Sequence, residues 1–313
     1  MMGIDIVIVN WNAGAQIYDC IQSIFRHDAG RKQVQNVTVV DNHSTDDSLE
    51  RLGSLPYRLQ IVRNTVNAGF GAACNQGAAS GSGDYLLFLN PDTILNADTL
   101  DKVTQFLDAT TEPVGVVGVQ LRNEQGKVSH TCARFPTFAS MGVKILGLDK
   151  LLPGKFHHYL MTEWPHDTNR RVDHIMGAFY LVPRPLFHQL NGFDEQFFVY
   201  LEDVDFSKRV ADAGYASYFL ADANAYHKGG GTSEQVKATR LMYSLRSRIR
   251  YVFKHFAIGQ AIFITVGTLV GEPLIRCFHA LIKGSWTTVR ETTEAYIRLW
   301  KRVPGMARGQ WRS

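Results

Sequence analysis

The segment that decides the fold is Asp84-Tyr85-Leu86-Leu87-Phe88-Leu89-Asn90-Pro91-Asp92-Thr93. Residues 85–89 form a short apolar run between turn residues, which predicts a buried strand covered on both faces of its sheet. Pro91 cannot donate a backbone hydrogen bond, so strand pairing is expected to stop there. Asn90 and Asp92 then lie at the carboxyl end of the strand, where open α/β sheets bind their ligands.

Asn90 and Asp92 allow two interpretations. Their oxygens suit Mg²⁺ or Mn²⁺ carrying a diphosphate. The tetrapeptide Asn-Pro-Asp-Thr is also a good turn and helix start, with Asp92 or Thr93 as the cap. The local sequence alone favours the turn, whereas the rest of the chain favours the ligand site.

The flanking sequence repeats the pattern of a strand that ends in polar residues. Apolar runs at residues 4–10, 37–41 and 59–62 predict strands, and the spacing of residues 15–27 predicts a helix. Asn10 and Asn12 follow the first strand, and Asp41 ends the second. A helix at 97–108 and a strand at 114–119 continue the alternation, which predicts a doubly wound, mostly parallel α/β sheet.

A glycine-rich loop runs into a helix of small residues between positions 64 and 77. Asn67 and Gly69 lie in this loop, and helix starts of this kind bind phosphate well. Gly69 and Gly71 resemble part of a dinucleotide fingerprint, but the third glycine is misplaced and the loop is not the first βα turn. The small residues are therefore expected to permit close packing of the helix on the sheet.

Residues 122–171 read as a long irregular loop, which is usually a binding lid or disordered. His157-His158 in this loop is more typical of a surface loop than of a metal site. A strand is expected from 172 to 182, containing Gly177 and Ala178, and a short helix after it.

Three carboxylates, Glu202, Asp203 and Asp205, then open a helix that runs to about residue 213. Acids at a helix start compensate its dipole, but beside several aromatic residues they also look like a catalytic base and its neighbours. A small strand at 216–220 leads to His227 and the glycine run 229–231, a mobile loop suited to phosphate. His227 taken alone would more often be structural.

Composition narrows the class of protein. The chain has 313 residues, 45% hydrophobic and 20% charged, which fits one large globular domain or one domain with an appendage. The four cysteines, at 20, 74, 132 and 277, have no paired spacing, which argues against a zinc site or disulfide framework and fits a reducing cytosol. The chain enters a strand at once, so no signal peptide is expected.

The carboxyl-terminal tail is basic and contains an apolar run. Residues 240–313 carry 13 Lys/Arg against 3 Glu, a net charge of +10, so the remaining residues sum to −6. After a basic helix at 234–255, residues 256–271 are uncharged and apolar until Glu272-Pro273. A membrane span needs about 20 residues, so we expect a tail that lies in the membrane interface. The alternative is a pair of helices packed on the domain.

The motifs, taken in order, resemble family 2 of the inverting glycosyltransferases, which have the GT-A fold, and within it bacterial rhamnosyltransferase-like members that build surface polysaccharides. The matching pieces cover roughly residues 4–233 and are Val9-Asn10-Trp11-Asn12, Val40-Asp41-Asn42-His43-Ser44-Thr45-Asp46, Asn67-Ala68-Gly69-Phe70-Gly71, Leu89-Asn90-Pro91-Asp92, Gly177-Ala178, Gly192-Phe193-Asp194-Glu195 and Glu202-Asp203-Val204-Asp205. The resemblance implies a GT-A domain at 1–233, with a nucleotide-sugar half (1–120) and an acceptor half (121–233). Residues 234–313 would be a helical appendage.

The resemblance also implies roles for individual residues. Asp41 would contact the nucleotide base or ribose, and Asn10, Asn12, Asn67, Gly69 and Asn90 would complete the donor site. Asp92 would be the main metal ligand, since Asn90 replaces the first Asp of the family's Asp-x-Asp motif, and His227 would help to hold metal or diphosphate. Asp203 would be the catalytic base, with Glu202 beside it and Gly177, Ala178 and Asp205 on the acceptor side.

These residue types suit glycosyl transfer. A carboxylate can deprotonate the attacking hydroxyl, and Mg²⁺ or Mn²⁺ can neutralise the departing nucleoside diphosphate. One base opposite the leaving group gives inversion; the residues alone also allow retention, but we find no second nucleophile to propose.

We expect transfer of L-rhamnose from dTDP-rhamnose to a polyprenyl-linked acceptor or growing glycan, such as O-antigen or another cell-envelope polysaccharide. The enzyme would be cytoplasmic, peripheral on the inner membrane, and without a nucleic-acid partner. The alternatives are a UDP-hexose or UDP-galactofuranose donor, or a non-catalytic nucleotide- or glycan-binding module. A nicotinamide-dependent oxidoreductase is disfavoured by the missing fingerprint.

Overall fold

A computed structural model describes residues 2–26, 32–57, 59–148, 159–229 and 237–311. The chain divides into two compact units. The first comprises Met1–Arg134, Leu160–Asp194 and Asp203–Thr232, and the second comprises Phe135–Tyr159, Glu195–Glu202 and Ser233–Ser313. His157-His158 and residues 230–231 of the glycine run lie outside the described residues.

The first unit is built on one mixed sheet flanked by helices. Its strands are β1 (Ile4–Asn10), β2 (Val34–Asp41), β3 (Gln60–Arg63), β4 (Tyr85–Leu89), β5 (Thr93–Leu95), β6 (Val114–Arg122), β7 (Cys132–Ala133), β8 (Arg170–Val172), β9 (His174–Ile175), β10 (Phe179–Pro183) and β11 (Ala216–His227). Its helices are Gln16–Phe25, Ser48–Leu52, Phe70–Ala78, Thr99–Ala109, Arg184–Gln189 and, from Asp203 onward, Glu202–Asp212.

The strand order is β3-β2-β1-β4-β10-β6-β11-β5, with β8 also paired to β11 and with β7 and β9 forming a separate ladder. Strands β1 to β4 run parallel, as do β6 and β11. Strand β10 runs antiparallel between β4 and β6. The predicted α/β fold with a mostly parallel sheet is confirmed.

Alternating side chains of β1 fill two apolar layers, one on each face of the sheet. Ile4, Ile6 and Ile8 pack in one layer with the helix Gln16–Phe25. Val7 and Val9 pack in the other layer with the helix Phe70–Ala78. A Cβ at Gly77 would lie 2.3 Å from Val7 Cγ1. The expected close approach of this small-residue helix to the sheet is therefore confirmed.

Two expectations about residues 122–182 are wrong. Residues 122–171 are not uniformly irregular, since they contain β7, the helix Phe138–Ile145 and β8. Thr137 and Ser140 form a reciprocal capping box at the start of that helix, a signal that the sequence carries. The strand expected from 172 to 182 is interrupted between β9 and β10. Gly177 donates its backbone N–H to a side chain there instead of to a ladder.

The second unit is helical. Its helices are Phe138–Ile145, Lys237–His255, Ile258–Val266, Glu272–Ile282 and Trp286–Ala307, with the π-helical turn Gly267–Gly271 joining the third and fourth. By length and composition alone, one helix of the described residues, Ile258–Ile282, could cross a membrane; 28% of its most apolar window is buried. Core helices of soluble proteins meet the same criteria.

Glu272-Pro273 breaks the apolar run of the sequence but not the helix. Pro273 has no N–H to donate to the carbonyl of Leu269, four residues earlier. Trp300 Nε1 donates to that carbonyl at 3.0 Å and so replaces the missing bond. Glu272 is buried in ion pairs with Arg248 and Arg276. The helix therefore continues through both residues to Ile282.

Candidate active site

The carboxyl ends of β1 and β2 hold a buried polar cluster. Asn10 and Asp41 are register partners, and the side-chain amide of Asn10 donates to Asp41 Oδ1 at 2.8 Å. The same amide donates to the hydroxyls of Ser44 and Ser48 at 3.1 and 2.8 Å. Asn12 has a left-handed backbone, and its Oδ1 accepts from the backbone N–H of Thr45 at 2.7 Å. The structure therefore brings Asn10, Asn12 and Asp41 together.

Asn42, which sequence reasoning missed as a site residue, organises the glycine-rich loop. Its side-chain amide donates to Asn67 Oδ1 at 2.9 Å and to the carbonyl of Gly69 at 3.2 Å. Its Oδ1 accepts from the Asn64 side chain and from the backbone N–H of Ala68. The signal was its position directly after the predicted strand end at Asp41.

Gly69 gives this loop its shape. It precedes the helix Phe70–Ala78 with φ 90°, a conformation that favours glycine. Its N–H donates to Asn67 Oδ1 at 3.0 Å. Asn67 and Gly69 therefore form one fixed turn at the start of a helix, where unpaired N–H groups suit an anion.

The turn after β4 carries the predicted metal ligand. Thr93 donates its N–H to the Asn90 carbonyl at 3.1 Å, which closes the turn around Asp92. His227, at the end of β11, is the register partner of Thr93, and its Nε2 lies 3.1 Å from Asp92 Oδ1. Asn90–Thr93 can therefore form a turn and still present Asp92 as a ligand. Pairing of β11 with β5, a three-residue strand that sequence reasoning missed, brings His227 to Asp92.

Asp203 faces the segment 176–178 from the start of the helix Glu202–Asp212. Its Oδ2 accepts from the Gly177 N–H at 3.2 Å, and its Oδ1 accepts from the Val204 N–H at 2.8 Å. Ala178 in turn accepts from the Asn90 N–H at 3.0 Å. Residues 176–178 therefore connect Asp203 on one side with the Asn90–Asp92 turn on the other.

The other two acids of the helix start are buried. Asp205 is fully buried and accepts from Arg209 Nε at 2.9 Å. The same guanidinium donates to the carbonyls of Leu190 and Gly192, so this ion pair fixes the chain just before Phe193. Glu202 is also buried, at 5% exposed. Asp203, at 18% side-chain exposure, is the more accessible carboxylate.

A buried chain of polar side chains stands behind Asp203, and sequence reasoning missed it. His174 Nε2 lies 3.6 Å from Asp203 Oδ2, and His174 Nδ1 lies 3.0 Å from Ser207 Oγ. Ser207 also bonds to the Tyr180 hydroxyl at 2.8 Å. Burial lowers the pKa of His174, against the opposing charges of Asp203 and Asp173. The His174 imidazole is therefore neutral where it lies next to the Asp203 carboxylate.

This arrangement can bind an anionic ligand and accept a proton. The edge holds amides, a helix start and a carboxylate–imidazole pair, all at the carboxyl ends of strands. Within the described ranges, no three His, Cys, Asp or Glu side chains converge into a metal-binding group. Asp92 and His227 form a pair of possible donor side chains in this part of the structure.

Comparison with known proteins identifies the family. The sequence profile described as Glycosyl transferase family 2 matches residues 5–161. N-acetylglucosaminyl-diphospho-decaprenol L-rhamnosyltransferase of Mycobacterium tuberculosis is 25% identical over 244 residues, which are 70% of this chain and 74% of that protein. Rhamnosyltransferase WbbL of Escherichia coli is 26% identical over 170 residues, 54% of this chain and 61% of that protein. The chain therefore spans less than two thirds of the second relative.

A solved structure shares the fold. Mannosyltransferase PcManGT from Pyrobaculum calidifontis, in complex with GDP-Man and Mn²⁺, superimposes with a TM-score of 0.56 at 16% identity. The match covers 96% of this chain and 87% of that one. Together with the sheet, it confirms the predicted GT-A type fold. Since the family profile matches half of the chain, the chain belongs to glycosyl transferase family 2.

Proposed function

We propose that the protein is an inverting, metal-dependent glycosyltransferase that moves L-rhamnose from dTDP-rhamnose to a lipid-linked or growing surface polysaccharide. One observation carries the proposal. The segment 176–178 is hydrogen-bonded to Asp203 through Gly177 and to Asn90, in the turn of Asp92, through Ala178. A candidate base and a candidate metal ligand are therefore held by one three-residue segment. The names of the two rhamnosyltransferase relatives support the choice of sugar.

Asp203 would act as the base. As the acceptor hydroxyl oxygen attacks the anomeric carbon, its proton passes to a carboxylate oxygen of Asp203. The bond from the anomeric carbon to the diphosphate oxygen breaks, and the diphosphate leaves with the electron pair. Attack on the face opposite the leaving group inverts the anomeric configuration. The N–H groups of Gly177 and Val204 hold the carboxylate in a fixed orientation.

Asp92 and His227 would hold Mg²⁺ or Mn²⁺. A carboxylate oxygen and an imidazole nitrogen 3.1 Å apart form a convergent donor pair, of which the carboxylate is the ligand that suits these cations. A bound cation would neutralise charge on the departing diphosphate. The pair leaves most coordination positions to the donor's phosphates and to water, as such sites usually do.

The strand-end clusters would bind the nucleotide. Asp41 would contact the ribose or base, since its carboxylate keeps acceptor capacity beyond the bonds from Asn10 and Ser44. Asn10 and Asn12 would hold the loop that carries it. Asn67 and Gly69 would present the helix start to phosphate, and Asn90 would border the metal. Gly177, Ala178 and Asp205 would shape the acceptor side, with Glu202 beside the base.

We also propose that three regions of the chain have the separate roles expected from the sequence. Residues 1–120 would bind the nucleotide sugar and residues 121–233 the acceptor. Residues 234–313 would attach the protein to the cytoplasmic face of the inner membrane, as a peripheral protein.

The surface of the helix Ile258–Ile282 supports the membrane proposal. Its large apolar side chains recur every four residues and are each between 50% and 69% exposed: Ile258, Ile262, Val266, Val270, Leu274, Phe278 and Ile282, here called the apolar ridge. Steps of four residues drift by about 40° each on a regular α-helix. The π-helical turn Gly267–Gly271 winds more slowly and so reduces this drift.

The buried side of the same helix holds polar residues beside apolar ones such as Ala261 and Ile264, so it lacks the uniformly apolar inner face of an ordinary soluble amphipathic helix. Thr268 is fully buried, and Glu272 is buried in its ion pairs with Arg248 and Arg276. An exposed apolar face of this length marks an interaction surface. The net charge of +10 over residues 240–313 favours an anionic lipid surface as the partner.

A thermal-shift panel tests the proposed donor and metal. We expect dTDP-rhamnose to raise Tm more than UDP-glucose, UDP-galactofuranose or GDP-mannose, and only with Mn²⁺ or Mg²⁺. Asp92→Asn should abolish the metal-dependent part of the shift. Asp98→Asn is the matched control, because Asp98 is an exposed carboxylate paired with Lys102. A shift of equal size without metal would overturn the metal proposal, and absence of dTDP-rhamnose turnover would overturn the sugar.

A further inference from the structure

An apolar groove runs between two helices of the second unit. It has a volume of about 670 Å³ and lies between Glu272–Ile282, with the preceding π turn, and Trp286–Ala307. That volume is within the range of about 300–1,000 Å³ typical of small-molecule sites. Leu269, Val270 and Leu274 line one side, Tyr296, Trp300 and Val303 the other, and none of the described lining residues is charged. The groove therefore suits a hydrocarbon chain.

The groove is continuous with the apolar ridge. Val270 and Leu274 belong to both, and both are more than half exposed. A chain could therefore pass from a bilayer against the ridge into the groove without crossing polar surface. The two sides of the groove are joined by a hydrogen bond, because Trp300 Nε1 donates to the Leu269 carbonyl at 3.0 Å.

A polar pocket of about 270 Å³ adjoins the groove, and Thr292 lines both. Arg276 and Lys283 line this pocket together with the hydroxyls of Ser285 and Thr288. Cationic and hydroxyl donors suit a phosphate group. A single furrow beside a cationic pocket fits a lipid with one long chain and a phosphate end.

We infer that the groove binds the hydrocarbon chain of a polyisoprenyl phosphate or diphosphate, with the phosphate in the adjoining pocket. The inference rests on the proposed function, since it assigns the lipid carrier of the acceptor to a site in this chain. A diacyl phospholipid brings two chains and fits a single furrow less well.

Binding of undecaprenyl phosphate to the full-length protein in nonionic detergent, measured by calorimetry, tests the inference. Thr293→Trp fills the groove from an exposed position, and Thr287→Trp adds the same bulk on the same helix outside the lining. We expect Kd to rise at least about tenfold for the first variant and to stay at the wild-type value for the second.

A second pair separates the groove from the ridge. Leu274→Gln and Phe278→Gln remove similarly exposed apolar side chains, at 69% and 66% exposure, but only Leu274 lines the groove. Both should weaken adsorption to phosphatidylglycerol vesicles, whereas only Leu274→Gln should weaken binding of undecaprenyl phosphate in detergent. Exposed positions make misfolding a small concern, and equal Tm values check it.

Three results would overturn the inference: no binding by the wild type, equal binding by Thr293→Trp and Thr287→Trp, or equally tight binding of phosphatidylglycerol in detergent. The last would make a membrane phospholipid the occupant. The assay contains no sugar donor. A protein that binds the polyisoprenyl phosphate yet fails to turn over dTDP-rhamnose therefore refutes the proposed transfer and leaves the lipid site standing.

Discussion

Both units bury apolar residues, but they differ in where their functional and structural polar groups lie. In the first unit, apolar residues fill both faces of the sheet, and polar side chains such as Asn10 and Asp41 gather at the carboxyl ends of its strands. In the second unit, Glu272 and Arg248 are inside and the apolar ridge is outside. A polar edge serves a ligand, whereas a polar interior serves the fold. Removing the edge carboxylate Asp203 should therefore cost activity, whereas removing the buried carboxylate Glu272 should cost stability.

Asp203→Asn should show the largest effect. General-base catalysis contributes about 10²–10⁴-fold, so we expect kcat to fall by about that factor while Tm and the donor Kd stay near the wild-type values. The measurement is sugar transfer under saturating donor, with donor binding followed in parallel.

Asp212→Asn is the control, because Asp212 lies on the same helix, exposed and paired with Lys208. Unchanged kcat in Asp203→Asn would exclude it as the base. Unchanged cellular glycans together with normal donor binding would favour a non-catalytic binding module.

Glu272→Gln should have the opposite result, a loss of stability with little change in kcat. Removing one partner of a buried ion pair costs about 3–5 kcal/mol, since the guanidinium of Arg248 stays buried. Chemical denaturation should therefore show a large loss in the free energy of unfolding, and kcat per folded molecule should change little.

Glu294→Gln supplies the comparison for this second carboxylate. Its partner is Arg298, the pair is nearly half exposed on both sides, and exposed pairs contribute about 0–1 kcal/mol. Similar losses in the two variants would contradict the view that the interior pair holds the helical unit together.

Local sequence predicted the parts of the fold that depend on local pattern. The strands β1, β2 and β4 and the helix Phe70–Ala78 follow from apolar runs bounded by turn residues. The antiparallel entry of β10 between β4 and β6 rests on pairs such as Phe179 with Leu89, far apart in the chain. No local periodicity encodes such a pair.

The same limit applies to the site and to the tail. Positions at strand ends, such as Asp41 and Asp92, could be predicted because strand ends are local features. His174, in strand β9, acquires its role from Ser207 and Asp203, which belong to the helix Glu202–Asp212. In the sequence, Glu272 interrupts the apolar run as a charged residue. Its buried partner Arg248 lies in a different helix, so the sequence gives no sign that this charge is compensated.

Asn42→Ala should have an intermediate effect on both donor binding and stability. Asn42 joins the end of β2 to the loop of Asn67 and Gly69 through four hydrogen bonds, each worth about 1 kcal/mol net. We expect the donor Kd to rise about tenfold, with a Tm loss smaller than that of Glu272→Gln. Asn36→Ala, at the other end of β2, should leave the donor Kd unchanged. A normal Kd in Asn42→Ala would mean that this loop does not contact the donor.

His174 gives the smallest and most selective effect, a dependence of stability on pH. Burial lowers its pKa in the folded protein, against Asp203 and Asp173, so the unfolded chain binds the proton more readily. The resulting stabilisation is present above the ordinary histidine pKa of about 6.5 and is lost as pH falls below it. Tm of the wild type should therefore fall between pH 7.5 and 5 more steeply than Tm of His174→Asn.

His188→Asn, an exposed histidine of the same unit, should follow the wild type in that comparison. Because His174 backs Asp203, the pH profile of kcat/KM should also change in His174→Asn and not in His188→Asn. A change in Tm alone would make His174 a packing residue of the first unit. A change in both would extend the polar edge inward from Asp203 to Ser207 and Tyr180, so that this buried chain would serve the reaction whereas the buried pair Asp205–Arg209 serves the fold.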